Sequence, residues 1–239
     1  MLGRLRSILE VLAAQMAITP VAADPYYRLQ YRRMERMYLP ALFRALAPLA
    51  PSRILEIGPG FGTTAYWLAR RGHSVTVMDL MPLGTFLTQE GLEKIGCEFV
   101  HHDIEDSPAP EGVEVGRFDA VVMTQVIHHL AWRPDRALTH VAALLADDGR
   151  FFASVLDREA YPDVAAEFGD DWRAVPEWRT APRSGAVVKC MYTAETFSDL
   201  LATRFEELRV SRPRGVVLAA ATLRSGQGGA SRVPAPESP

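Results

Sequence analysis

The sequence predicts an α/β protein built on a doubly wound, mixed sheet of seven strands. Short apolar runs alternate with helical patterns between residues 53 and 156, as expected when crossover helices join neighbouring strands. A glycine-rich turn at residues 58–62 joins the first apolar run to the first of these helices. Two runs with β character, residues 205–210 and 216–223, are separated by a short turn and predict a terminal antiparallel hairpin.

The composition is that of an ordinary globular protein. The chain has 239 residues, 48% of them hydrophobic and 23% charged, which is enough for one large domain with a full core. The net charge of −3 gives no electrostatic reason to expect a nucleic-acid partner. Cys97 and Cys190 are far apart and follow no metal-ligand spacing. We therefore expect reduced thiols, no metal site and a cytoplasmic protein.

Residues 1–50 are expected to form a helical segment that packs on the main domain or acts as a lid. A first helix is predicted over residues 2–17, with this apolar face at helical spacing: Leu2, Leu5, Ile8, Leu9, Leu12 and Met16. We expect this face to pack on the domain or on a second subunit, forming a homodimer. A lid over a substrate pocket and a membrane-surface contact are the alternatives. Glu10 and Gln15 interrupt the apolar run, so it is a poor signal peptide, and no run is long enough to span a membrane.

A second helix is predicted from about Pro25 to Leu49, with a kink at Pro40. Its first half interleaves tyrosines with arginines: Tyr26, Tyr27, Arg28, Tyr31, Arg32, Arg33, Arg36 and Tyr38. A solvated basic face edged by packed tyrosines is one interpretation of this pattern. A role for one of these side chains in a ligand site is the other.

The main domain, residues 51–224, then alternates strands and helices. Strands are predicted at 54–57, 74–78, 97–100, 118–123 and 150–156, and helices at 63–71, 82–95, 134–146 and 193–203. Residues 157–192 interrupt this alternation with Tyr161, Trp172, Trp178 and Tyr192, and predict a cap insertion after strand five or a small satellite core. Residues 225–239 are rich in Gly, Ser and Pro and are expected to be a disordered tail.

The glycine-rich turn has a more specific pattern. Its spacing is G-x-G-x-G, with Gly58, Gly60 and Gly62, whereas a dinucleotide-binding loop would place its third glycine one position later. With Glu56 two residues before, the segment resembles motif I of the class I S-adenosylmethionine (SAM)-dependent methyltransferases, E-x-G-x-G-x-G. The resemblance covers roughly residues 50–224. It implies SAM as cofactor and the strand order 3-2-1-4-5-7-6, with the seventh strand antiparallel.

The resemblance also implies a set of cofactor-binding residues at the ends of the strands. Asp79 ends strand two, where a carboxylate can accept from both hydroxyls of a ribose, although it could instead cap the next helix. Asp103 matches the position that receives the adenine amino group, and Ile104 the position that packs on the ring. Capping a turn is the alternative for Asp103. Leu80, Thr124 and Gln125 complete the implied set, with Glu56 and the three glycines.

Strand four is followed by Thr124-Gln125-Val126-Ile127-His128-His129-Leu130, which looks like the post-strand-four segment of small-molecule methyltransferases. His128 and His129 are candidate general bases, with His128 preferred, because histidine titrates near neutral pH. Adjacent residues point in different directions, so at most one is expected to act. Asp157 ends strand five and could orient that histidine, or could cap or pair with basic neighbours.

These patterns predict SAM-dependent methyl transfer to a small molecule such as a secondary metabolite, with oxygen favoured as the acceptor atom. The D/N/S-P-P-Y/F motif of many amino-group methyltransferases is absent. Three other hypotheses are a SAM-binding module without catalysis, a nicotinamide-dependent oxidoreductase and a methyltransferase that acts on a macromolecule.

Overall fold

A seven-stranded sheet forms the centre of the protein. The computed structural model describes residues 2–18, 25–110, 113–130, 134–166, 179–180, 187–188 and 190–224. The strands are β1 (Arg53–Ile57), β2 (Ser74–Asp79), β3 (Glu98–His101), β4 (Phe118–Thr124), β5 (Leu145–Leu156), β6 (Arg179–Thr180), β7 (Val187–Val188), β8 (Phe205–Ser211) and β9 (Val216–Leu223). The helices are α1 (Leu2–Ala17), α2 (Pro25–Leu46), α3 (Thr63–Arg70), α4 (Gln89–Ile95), α5 (Pro134–Leu144), α6 (Pro162–Ala165) and α7 (Ala194–Leu201).

The strand order confirms the prediction. The sheet runs β3-β2-β1-β4-β5-β9-β8, and β6 and β7 pair separately with each other. Strands β1 to β5 are parallel, whereas β9 is antiparallel to both β5 and β8. The carboxyl ends of the five parallel strands therefore meet at one edge, which is where open α/β sheets bind ligands.

Two layers of apolar side chains cover the two faces of the sheet. On one face, α1, α2, α3 and α4 pack with residues that include Leu39, Phe43 and Trp67. The rings of Phe43 and Trp67 stack with centroids 4.2 Å apart. On the other face, α5 and α7 pack through residues such as Leu138 and Phe197.

The face of α1 that packs on the domain is not the predicted one. Leu5, Leu9 and Met16 are 56%, 57% and 82% exposed. The packed face carries smaller or polar residues: Ser7, Val11, Ala14, Gln15 and Ile18. The expectation that this face packs on the domain is therefore wrong, whereas the alternatives of a second subunit, a lid or a membrane-surface contact stay predictions. Hydrogen bonds from Gln15 to α2, described below, tie the opposite face of α1 to the domain. The homodimer through these helices stays a prediction.

Two element boundaries differ from the sequence prediction by five residues or more. Helix α4 begins only after Thr88, whose hydroxyl accepts a hydrogen bond from the Gly91 N–H (3.1 Å). Residues 82–87 form turns, with Gly84 at φ 100°. Strand β5 begins at Leu145 and not at residue 150, because Leu145 pairs with Phe118 ahead of an irregularity in the ladder.

The cap insertion lies mostly outside the described residues, and so do Trp172, Trp178 and the tail at 225–239. Tyr192 is 1% exposed in the core, and it forms an isolated bridge with Asp157. Helix α7 has the predicted N-cap, where Thr193 and Thr196 form a capping box. No helix in the described ranges is long and apolar enough to cross a membrane.

Candidate active site

The loop between β1 and α3, residues 58–62, is a largely buried turn at the carboxyl edge of the sheet, called the glycine cradle below. Gly58, Gly60 and Gly62 all have positive φ angles, of 68°, 54° and 82°. A side chain would be strained at these angles and would also fill the space. A Cβ added at Gly60 would collide with the Tyr31 hydroxyl, and one at Gly58 would collide with Val126. The loop leads into the N-terminus of α3, whose free N–H groups attract negative charge.

Helix α2 covers this cradle with one face. Tyr31, Glu35 and Tyr38 lie at i, i+4 and i+7, so they project from the same side of the helix. The Tyr31 ring meets Phe61 edge-on, with centroids 4.7 Å apart. At the other end, the Tyr38 hydroxyl lies 3.4 Å from Oγ1 of Thr124. The N-terminal segment is therefore a wall of the site.

Two buried carboxylates lie near the cradle, Glu35 on α2 and Glu56 on β1. Glu35 and Glu56 are 3% and 2% exposed. Burial raises the pKa of Glu35 to about 7, against hydrogen bonds from Thr63 and Gln15 that lower it. Burial also raises the pKa of Glu56 well above its usual range, and the nearby Glu35 adds to this shift. Glu56 accepts from Ala65 and Thr64, but its Oε2 atom has no hydrogen-bond partner in the part of the chain described.

Asp79 lies at the end of β2, as predicted. One of its carboxylate oxygens accepts from the Met81 N–H at 2.8 Å, which closes a local turn. The alternative that Asp79 caps the next helix is wrong, because α4 begins at Gln89 and Thr88 is its N-cap. Burial raises the pKa of Asp79. Next to it, the apolar side chains of Leu80 and Met81 are 57% and 41% exposed. An acid beside exposed apolar groups suits a sugar joined to a planar ring.

Asp103 and Ile104 follow β3 and form a turn. Oδ1 of Asp103 accepts from the Glu105 N–H at 2.8 Å. The Ile104 side chain is 4% exposed and belongs to the core, which leaves little of it to meet a ring. The Ile104 carbonyl lies 2.7 Å from Nδ1 of His140 on α5. Helix α5 therefore helps to position this turn. The sequence pattern gave no indication of this contact.

Gln125 occupies a strained position directly after β4. Its φ angle is 59°, which is uncommon for a residue with a side chain. Two bonds to Ser154 of β5 hold it, from its N–H to the Ser154 carbonyl (2.8 Å) and from Nε2 to the Ser154 hydroxyl (3.0 Å). Its buried Oε1 atom has no partner among the described residues. A buried acceptor atom that is held in place without a donor is expected where a bound ligand supplies that donor.

The two histidines lie in a short 3-10 turn, Ile127–His129. Their rings are in contact, with centroids 4.1 Å apart, so they do not diverge as expected. His128 is 2% exposed, and burial, with a smaller effect of His129, holds the pKa of His128 well below its usual range. His128 is therefore neutral at physiological pH, and its buried Nδ1 lacks a hydrogen-bond partner within the described ranges. His129 is only half-buried.

Asp157 is occupied by structural contacts. Its Oδ1 accepts from the Glu159 N–H at 3.1 Å, and its Oδ2 accepts from Nε of Arg212 at 2.7 Å. The residue caps the turn Arg158–Ala160. These contacts match the capping and pairing alternative and not an imidazole-orienting role.

The glycine cradle and the acid at the end of β2 lie at the positions expected for a SAM site in a sheet of this order. Together with the sheet order, they define a class I SAM-dependent methyltransferase. A family model described as a methyltransferase domain matches residues 27–204, and the chain belongs to this family. SAM is therefore its cofactor, as the sequence predicted.

The chain is also similar to curated O-methyltransferases. A ubiquinone biosynthesis O-methyltransferase of Methylocella silvestris is 30% identical over 77% of this chain and 73% of its own length. A fatty-acid O-methyltransferase of Mycolicibacterium smegmatis is 33% identical over 57% of this chain and 44% of its own. The chain spans about half the length of other curated relatives that it matches.

The fold is also found in solved structures. A 1,6-didemethyltoxoflavin N1-methyltransferase of Burkholderia thailandensis, solved with S-adenosylhomocysteine bound, is 23% identical with a TM-score of 0.53. The similarity covers 77% of this chain and 75% of that one. This likeness concerns the fold alone.

Glu35 is the site residue that sequence reasoning missed. It stands among arginines, in a pattern that suggested a solvated basic face. The signal that could have revealed it is the spacing of Tyr31, Glu35 and Tyr38 on one side of a helix.

Proposed function

We propose that the protein transfers the methyl group of SAM to an oxygen atom of a small, partly apolar molecule. The observation that carries this proposal is the segment after β4, where strained Gln125 and the paired rings of His128 and His129 stand beside the glycine cradle. The relatives described above are O-methyltransferases by name, which supports oxygen as the acceptor atom.

In this proposal, two parts of the site hold the cofactor. Asp79, Leu80, Asp103 and Ile104 face its nucleoside half. Glu56, the three glycines, Thr124 and Gln125 face its methionine half. The bound cofactor supplies a methyl group on a sulfonium, and the protein contributes alignment of the acceptor with that group, which can supply much of the rate.

The histidines act on the acceptor. When the acceptor is a hydroxyl, its proton must leave as the new O–CH₃ bond forms and the S–CH₃ bond breaks. His129, half-buried, takes the proton in this proposal. Neutral His128 accepts or donates a hydrogen bond that fixes the ring beside it. A carboxylate acceptor would need no base.

Cofactor placement is tested by calorimetric titration with S-adenosylhomocysteine. Asp79→Ala should abolish or strongly weaken binding. Asp119→Ala is the matched control, since Asp119 pairs with Arg53 at the opposite edge of the sheet. Equal affinity in both variants would contradict the placement.

The acceptor is tested by turnover with two families of compounds, hydroxylated aromatic rings with apolar tails and long-chain carboxylic acids. His129→Gln should lower kcat for hydroxyl acceptors by about 10²-fold or more, and should hardly change it for carboxylates. A loss of the same size for both families would contradict the base. Tight cofactor binding without turnover of either family would favour a non-catalytic module, and turnover only of a protein would favour a macromolecular substrate.

A further inference from the structure

Helix α1 has a second apolar face, which points away from the domain. Three of its side chains, Leu5, Leu9 and Met16, are more than half exposed, and Leu12 between them is half-buried. Val11, which is buried against the domain, lies on nearly the opposite side of the helix from Leu9, because each residue turns an α-helix by about 100°. A helix that is apolar on two sides is expected to be covered on both. Leu5, Leu9, Leu12 and Met16 are called the outer seam below.

The spacing of the outer seam is that of a helix pair. Its residues follow one another at intervals of four, three and four positions along the chain. This is the alternation of the a and d positions in a coiled coil, where each seam side chain inserts between four side chains of the facing helix. The outer seam therefore indicates a helix as its partner.

The charges beside the outer seam fit a second copy of the same helix. Arg6 and Glu10 lie on one flank of the seam and form a salt bridge, with Nε of Arg6 3.0 Å from Oε1 of Glu10. When two copies run antiparallel about a twofold axis at Leu9, the charged flanks of the two helices lie on the same side of the pair. Arg6 of one copy then lies only about 3 Å along the helix axis from Glu10 of the second copy, so opposite charges meet.

The same arrangement also fits the sizes of the side chains. Residues at equal distances before and after Leu9 face each other, so Leu5 of one copy lies opposite Ala13 of the other. Ala13 is an exposed residue beside the seam, and a large side chain therefore meets a small one. A parallel pair would instead place the two charged flanks on opposite sides, where they could not contact each other.

A lipid surface fits the outer seam less well. Helices that lie on anionic membranes are rich in Lys and Arg on their polar face. On α1 the exposed guanidinium of Arg6 is paired with the Glu10 carboxylate. The face opposite the seam packs on the domain through residues such as Val11 and Ala14 and offers no cationic surface.

We propose that the outer seam binds the outer seam of a second copy of this chain, as an antiparallel pair of helices. One helix of 16 residues on each side makes a small interface, below the size of most stable complexes. The dimer should therefore be weak, with a dissociation constant on the order of 10 μM. The other face of α1 holds Glu35 of α2 through Gln15, so this helix joins the second copy to the wall of the candidate site.

Sedimentation velocity of the full chain tests the pairing. Over about 1–100 μM, the wild type should pass from the mass of one chain, 26.4 kDa, toward twice that mass. Leu9→Glu should stay at the mass of one chain throughout, because it would place two carboxylates against each other at the axis. Val115→Glu is the matched control. Val115 is as exposed as Leu9, 58% against 57%, but lies in the turn before β4, and this variant should dimerise like the wild type.

The orientation of the helices is tested by mild oxidation of cysteine variants, made in a Cys97→Ser background. Leu9→Cys should form a disulfide between two copies, since both thiols lie at the axis. Leu5→Cys alone should not form one, because the two thiols lie at opposite ends of the pair. A mixture of Leu5→Cys with Ala13→Cys should form a disulfide between the two variants.

Four results would overturn the proposal. A disulfide formed by Leu5→Cys alone would mean that the helices run parallel. A dimer of Leu9→Glu as tight as that of the wild type would place the interface elsewhere. A wild type that stays monomeric but sediments with vesicles of phosphatidylglycerol and phosphatidylcholine, whereas Leu9→Glu does not, would assign the outer seam to lipid. A wild type that neither dimerises nor binds these vesicles would mean that something other than a second copy covers the seam.

Discussion

The hydroxyl of Tyr38 on α2 lies 3.4 Å from Oγ1 of Thr124 at the end of β4, and both side chains are buried. This contact joins the N-terminal segment to the strand that precedes Gln125 and the histidines. Helix α2 and the end of β4, which lie on either side of the candidate site, are thus connected by one hydrogen bond between residues far apart in sequence.

Tyr38→Phe should lower the free energy of unfolding by about 1 kcal/mol, because the Thr124 hydroxyl would lose a buried partner. Urea denaturation measures this difference. Tyr66→Phe, at a half-buried position on α3, should stay within about 0.5 kcal/mol of the wild type. Equal effects of the two changes would show that the Tyr38 bond contributes nothing.

Stability without ligand should fall as the pH rises. Glu35 has a folded-state pKa of about 7, above its ordinary value of 4.5, so the folded state binds more protons between these values. Its contribution is fully present below the lower value and is lost as the pH passes the upper one. From about pH 5.5 to about pH 7.5, the loss should be on the order of 2 kcal/mol.

Glu35→Gln should remove the part of this slope that Glu35 contributes, since the amide does not titrate. The slope that remains belongs to groups such as Glu56, whose pKa burial also raises. Denaturant titrations at a series of pH values provide the measurement. A wild-type slope that the variant fully retains would assign the effect to another group.

Gly60→Ala should lower the free energy of unfolding by more than the cost of a left-handed backbone at an alanine. The new Cβ would collide with the Tyr31 hydroxyl, whereas Gly72, with φ 85°, has open space around it. Gly72→Ala should cost about 1 kcal/mol, and Gly60→Ala more than about 2 kcal/mol. Thermal or urea unfolding of both variants checks this.

Tyr31→Ala in the Gly60→Ala background should recover part of the loss, because it removes the colliding ring. Strict additivity of the two changes would mean that Tyr31 does not lie against the loop.

Arg212→Ala should lower the free energy of unfolding, since the buried Asp157 carboxylate would lose its charged partner. Arg214→Ala, in the same turn before β9, is the matched control. Asp157→Asn should likewise lower stability and leave the pH dependence of kcat unchanged. If the pH dependence of kcat shifts in that variant, Asp157 takes part in catalysis.

Local patterns predicted much of this fold. The strands β8 and β9 follow from two runs of β character on either side of a short turn, and the N-cap at Thr193 follows from a threonine ahead of a helical pattern. The packed face of α1 could not be predicted from local patterns, because it depends on long-range hydrogen bonds from Gln15 to α2. The start of α4 was missed because Pro82 looked like a first-turn residue, whereas Thr88 provides the cap.

A site residue could be predicted from the sequence where its side-chain chemistry and its position at the end of a strand were enough, as for Asp79. The pairing of Glu35 with Glu56 was not predictable, because 21 residues and a helix separate them (56 − 35 = 21). Nor does local sequence show that Asp157 would find Arg212 across the terminal hairpin.

The position of β9 also bears on how the chain folds during synthesis. This strand emerges after all the others, yet it pairs with both β5 and β8. Until Val216–Leu223 has been made, β5 has an open edge and β8 has no partner in the sheet. Open edges of this kind attract other strands and favour aggregation. A nascent or truncated chain that stops before Val216 is therefore expected to need a chaperone to stay dispersed.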